Sequence, residues 1–105
     1  MPMLRDPLGH GLELPRAIVQ GHIFRRHPEL KGKLRDIKET LVNPYLIARS
    51  KKDNMSLLYF RKVSAVLYLM AVASPKKGRM VLRTSFYVYN TSKGDPIIWK
   101  KKIST

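Results

Sequence analysis

The chain has 105 residues, with 21 Lys and Arg against 7 Asp and Glu, for a formal net charge of +14. That length suits one domain, residues 1–105, with a modest core, and 44% hydrophobic residues favour folding over disorder. The lack of cysteine excludes disulfides and thiolate metal sites, and the longest apolar run, Ala65 to Ala73, is far shorter than the ~20 residues of a membrane helix.

A charge excess this large costs stability through self-repulsion, and a polyanionic partner is its commonest reason. The first residues, among them Asp6, Pro7 and Gly9, form no apolar signal-peptide core, so the expected location is cytoplasmic, with no membrane partner.

Asp6-Pro7-Leu8-Gly9 reads as a turn, and Gly11 to Leu14 as a short strand or an extended lead-in. His10 looks incidental there. Pro15 is placed to open a helix, since its missing N–H costs nothing at a first helical position. Leu14, Ala17, Ile18, Gly21 and Phe24 then recur at helical spacing and predict its buried face, with His22 on the border. Pro28 disfavours helical geometry at His27 and predicts the end of the helix. A second helix comes next, with Leu30, Leu34, Ile37 and Leu41 as its apolar stripe, Glu29 in its first turn, and Asn43-Pro44 as its stop.

Beyond Pro44 the pattern changes to strands. Tyr45 to Ser50, Ser56 to Val63, Ala65 to Ser74 and Arg79 to Asn90 are four predicted strands, joined by short turns at Lys51 to Asn54 and Pro75 to Gly78. Simple alternation puts Leu57, Tyr59, Arg61 and Val63 on one face of the second strand. It likewise puts Met80, Leu82, Thr84, Phe86 and Val88 on one face of the fourth. Residues 91–105 read as a basic tail in which Trp99 anchors to the body. The expected fold class is α+β: two N-terminal helices packed on a four-stranded antiparallel meander.

His22 and His27 flank Arg25 and Arg26. Imidazole, with an unperturbed pKa of about 6.5, can take and give protons near neutral pH. Two imidazoles facing one pocket could serve as acid and base in RNA cleavage through the 2′-hydroxyl. Arg61 can hold a phosphate bidentately and stabilise a pentacovalent transition state, with Tyr59 projecting beside it. Thr84 can donate to a phosphate oxygen while Phe86 or Tyr87 stacks on a base. A packed border histidine for His22, an N-cap of the second helix for His27, a solvated strand face and an ordinary strand threonine are the corresponding structural roles. The acids are scattered, so neither a metal site nor another cofactor is expected.

The order Asp6-Pro7-Leu8-Gly9, His22-Ile23, Arg26-His27-Pro28-Glu29, Thr40-Leu41, Asn43-Pro44, Tyr59-Phe60-Arg61, Leu82-Arg83-Thr84-Ser85-Phe86 and Lys93-Gly94-Asp95 through Trp99 resembles phage-associated nucleases of the barnase–EndoU–colicin–RelE type, the BECR fold. The resemblance implies a metal-independent ribonuclease, with His22, His27, Arg61 and Thr84 as its catalytic residues. On this reading Arg26, Tyr59, Arg83, Phe86 and Tyr87 bind the RNA, whether tRNA, mRNA or rRNA. It also implies a toxin-like effector, delivered into a target cell; separately, the charge suits a protein-interaction domain that meets an acidic partner such as an immunity or antitoxin protein. Where this family has an aromatic residue before the helix histidine, the chain has Val19 and Gln20, and Arg83 replaces the apolar residue before the strand threonine. The alternative expectation is a basic RNA- or DNA-binding module without catalysis.

Overall fold

The computed structural model describes residues 4–53 and 55–102. Asn54 of the predicted turn and the outermost residues of the lead-in and tail lie outside them. The architecture is α+β, with two helices on one face of a six-stranded mixed sheet.

β1 is Gly11–Glu13. The first helix, α1, runs as an α-helical turn, Arg16–Ile18, a π-helical stretch, Val19–Ile23, and a second α-helical turn, Phe24–Arg26. Within it the Phe24 amide bonds the Val19 carbonyl, five residues back. The wider turn rotates the helix, so the predicted buried face is corrected: Val19 and Ile23 are buried, whereas Ala17 and Gly21 are exposed. The helix ends as Pro28 requires, with His27 outside helical geometry (φ −131°, ψ 72°). Pro28–Leu30 then makes one 3-10 turn, and Gly32, at φ +76°, leads into α2, Leu34–Val42. The predicted second helix is corrected at its start, since Glu29 and Leu30 lie in the 3-10 turn before it; Leu30, Ile37 and Leu41 are buried and Leu34 half-buried, as the stripe predicts.

The strands β2 (Leu46–Ser50), β3 (Leu57–Lys62), β4 (Tyr68–Lys76) and β5 (Arg79–Val88) pair antiparallel in sequence order. β4 therefore starts later than predicted, and Pro75 and Lys76 belong to it. Lys77 (φ 51°) and Gly78 (φ 78°) alone make the turn, as a two-residue hairpin with both central residues left-handed requires.

The four-stranded expectation is corrected at both edges. β1 pairs parallel with β5, Gly11 opposite Arg79. Residues 94–100 of the supposed tail form β6 (Gly94–Lys100), antiparallel to β2 with Trp99 opposite Ile47. The order is β1-β5-β4-β3-β2-β6. Trp99 and Ile98 pack against the main core, which explains why this segment joins the sheet despite its lysines.

Each face of the sheet has its own core. Ile47, Leu57, Tyr59, Leu69, Ala71, Met80 and Leu82 pack with helical residues such as Val19, Ile23, Ile37 and Leu41. On the opposite face Leu46, Ala48, Leu58, Phe60 and Met70 form a second cluster that, among the described residues, contains none from a helix. Gly94 closes against this second face. A Cβ there would lie 2.6 Å from the Ala48 Cβ, so only glycine lets the chain approach so near.

A bulge in β5 divides its side chains between the faces. Val72 pairs with Thr84 but Ala73 pairs with Leu82, leaving Arg83 as the extra residue. Because the side-chain period is two, one extra residue swaps the faces of all later side chains in the strand. The predicted single face is therefore corrected: Met80 and Leu82 join the helix-side core, whereas Phe86 and Val88 pack on the other face, with Thr84 opposite Val72.

Candidate nucleic-acid interface

The bulge brings Thr84 and Phe86 onto the face that no described helix covers. There they line a groove of about 360 Å³ with Leu58, Met70 and Val72 as apolar floor and Lys51, Lys52 and Lys93 at the sides. The Lys93 ammonium stands 5.6 Å from the centre of the Phe86 ring. Farther along the same apolar cluster, the Tyr45 and Tyr68 rings lie 6.2 Å apart. Lys62 and Lys100 reach over Tyr45 at 5.4 Å and 5.7 Å. Aromatic rings thus stand beside ammonium groups at two places along this face, at Phe86 and at Tyr45. Rings offer stacking faces to unpaired bases and ammonium groups pair with phosphates, which is what single-stranded nucleic acid needs.

His27 reaches this surface from the helix junction. β1 covers only the first residues of β5, leaving its later edge open on that side. The His27 imidazole stacks on Phe86 at 5.2 Å between centres, with 24° between the planes. Its Nδ1 lies 3.6 Å from a Glu29 carboxylate oxygen. Thr84 and Phe86 therefore line one groove, and His27 is tied to it through its contact with Phe86.

The others do not join them. His22 borders a separate hollow with Gly21, Arg25 and Arg26, and this hollow shares no residue with the groove. Arg61 donates to the Asp36 carboxylate of α2 at 2.9 Å, which puts its guanidinium on the helix side, away from Thr84. His22, His27, Arg61 and Thr84 are thus not gathered around one pocket: His22 and Arg61 lie apart from the groove, Thr84 lines it and His27 meets Phe86. Tyr59, expected to touch RNA, is completely buried, and its hydroxyl donates to Asp6 at 2.6 Å. Tyr87 takes the face opposite Phe86 and meets Lys33, whose ammonium lies 3.4 Å from the phenol oxygen. Arg83 is exposed at the bulge, and Arg26 at the end of α1.

Asp6 and His10 need the same revision. Asp6 is 5% exposed overall, and its carboxylate accepts from the Leu8 amide (3.0 Å), the His10 amide (2.9 Å), His10 Nδ1 (2.8 Å) and the Tyr59 hydroxyl. Because an ionised carboxylate only accepts, neutral His10 carries its proton on Nδ1 and leaves Nε2 for other contacts. Burial first, then the hydrogen bond to Asp6 and its charge, push the Tyr59 phenol above the usual tyrosine range. His10 is therefore not incidental, and the spacing of Asp6, Gly9 and His10 was the available signal. For the groove, the sequence signs were Lys51-Lys52 and Lys93-Gly94.

Among the described residues no helix is long and apolar enough to cross a membrane. Compared with protein-family models, curated proteins and solved structures, the chain gives no match.

Proposed function

We propose that this chain binds single-stranded RNA across the open face of its sheet. One observation carries the reading: lysines stand over Phe86 and Tyr45 on a face that no described helix covers. An exposed cation–π contact is worth about 0.5–1 kcal/mol, whereas a base stacked on an aromatic ring contributes about 1–3 kcal/mol. A base can therefore displace the ammonium, and the flexible lysine stem lets the charge move to the adjoining phosphate. Fluorescence anisotropy with labelled oligouridine tests this. Salt-sensitive binding that weakens in Phe86→Ala is expected, and binding indifferent to that change refutes it.

A second reading, endonucleolytic cleavage, is favoured by the stacking of His27 on Phe86 beside Thr84. His27 would move the proton between the 2′-hydroxyl and the leaving oxygen. Thr84 would orient a phosphate oxygen, and Lys93 would take the charge-stabilising role first given to Arg61. The product would carry a 2′,3′-cyclic phosphate. The BECR-type ribonuclease fold, the toxin-like role and an acidic antitoxin or immunity partner belong to this reading, since such a partner would meet the same lysines. Incubation with total RNA in the presence of a chelator decides it. Fragments that disappear with His27→Ala support cleavage, and intact RNA limits the chain to binding.

A further inference from the structure

On the helix-side face, at the end of the sheet under the Asp6–His10 turn, lies an open cavity of about 670 Å³. Its walls are mostly apolar, with Leu57 and Met80 from the core and Leu8 and Met55 at the rim, 39% and 64% exposed. Apolar side chains of that size are left in water here although the neighbouring core is closed. Among the described residues that line it, only His10 and Arg49 carry ionisable groups. His10 is held through Nδ1 by Asp6, a carboxylate whose side chain is wholly buried and whose other oxygen binds two backbone amides. The imidazole is thus fixed by a buried anchor while the ring itself stays 42% exposed. Apolar walls with a few fixed polar groups are the usual make-up of a small-molecule site, and the volume lies within the common range.

We propose that this cavity binds a small organic anion: an apolar, ring-sized body lying on Leu57, Met80 and Met55, with a phosphate or carboxylate held by His10 Nε2 and the Arg49 guanidinium. With Nδ1–H held on Asp6, a doubly protonated imidazole donates its Nε2–H to that head group. The site lies on the face of the sheet opposite the lysine groove and shares no residue with it, so it does not depend on RNA binding.

The test is a titration of the full chain followed by NMR of the His10 ring and the Met55 and Met80 methyl groups. The probes are phenyl phosphate and benzoate, with inorganic phosphate and phenol as head and body alone. Saturable shifts at these residues with phenyl phosphate, benzoate or both support the site and show which head group it prefers. Affinity for the better probe should fall about ten-fold in His10→Ala, as loss of one charge-assisted hydrogen bond implies. Met55→Glu, at an exposed rim position that does not endanger folding, should weaken it similarly by repulsion. Phenol or inorganic phosphate binding as tightly as the better probe overturns the proposal, as does an absence of shifts with both anions or unchanged affinity in both variants. Oligouridine anisotropy run in parallel should be unaffected by His10→Ala, so failure here and failure of the RNA reading are separable.

Discussion

Replacing Tyr59 by Phe removes one oxygen and leaves the ring's packing intact. The lost donor is a fully buried hydroxyl 2.6 Å from Asp6. Asp6 keeps its three remaining donors, the Leu8 and His10 amides and His10 Nδ1, so it is weakened but not orphaned. A hydrogen bond to a charged group contributes about 1.5–3 kcal/mol, so a loss of about 2 kcal/mol is expected at neutral pH. In a chain of about 100 residues each kcal/mol moves Tm by about 4–8 °C, which puts the fall near 10 °C. The pH dependence gives a second, independent signature. Tyr59 is raised above the ordinary tyrosine pKa of about 10, so between that value and its folded value the unfolded chain has lost a proton that the folded chain keeps. The unfolded state then binds fewer protons, and stability falls with rising pH by up to about 1.4 kcal/mol per unit. Below pH ~10 the contribution is fully present. Phe cannot titrate, so the stability gap between wild type and Tyr59→Phe should narrow as pH rises above that point. Urea unfolding followed by Trp99 fluorescence, from pH 8 to 11, measures both effects, and the difference cancels the titration of the lysines and other tyrosines. Equal stability at pH 8 together with a gap constant in pH would show that the Tyr59–Asp6 bond does not hold the N-terminal turn.

Phe86→Ala should weaken oligouridine binding by about 1–3 kcal/mol, whereas Tyr87→Ala, on the other face, should leave anisotropy titrations nearly unchanged. Changing Lys51, Lys52 and Lys93 together to Gln should flatten the salt dependence, the log–log slope shrinking by about 0.7 for every phosphate that a lysine no longer neutralises. If RNA is cleaved, gel assays should show the loss of activity in His27→Ala and its retention in His22→Ala. Gly94→Ala should destabilise by about 1–3 kcal/mol in thermal unfolding, because the new methyl must displace Ala48 or β6.

Pattern alone revealed the helices, the four central strands and the hairpin at Gly78, because each depends on neighbours in sequence. What it missed depends on single residues that shift a period. The π-helical turn moved the buried face of α1 to Val19 and Ile23. The bulge at Arg83 carried Thr84 and Phe86 away from Leu82, and nothing in the alternation of those residues marks the break. β6 was hidden because Pro96 and its flanking lysines read as tail, and Gly94 becomes meaningful only against Ala48. Arg61 seemed available for phosphate because its partner, Asp36, comes from a different element, the helix α2. His27 was identified for its chemistry, but its neighbour Phe86 could be found only once the open edge of β5 was known.

The parallel pairing of Gly11 with Arg79 sets an order of events for a chain made from its N-terminus. When β1 leaves the ribosome, the strand it will lie beside has not been synthesised. The cavity beside it waits longer still, since Ile98 of β6 completes its wall. A nascent chain therefore lacks this wall until β6 has emerged, so the proposed anion site can form only after all six strands are made.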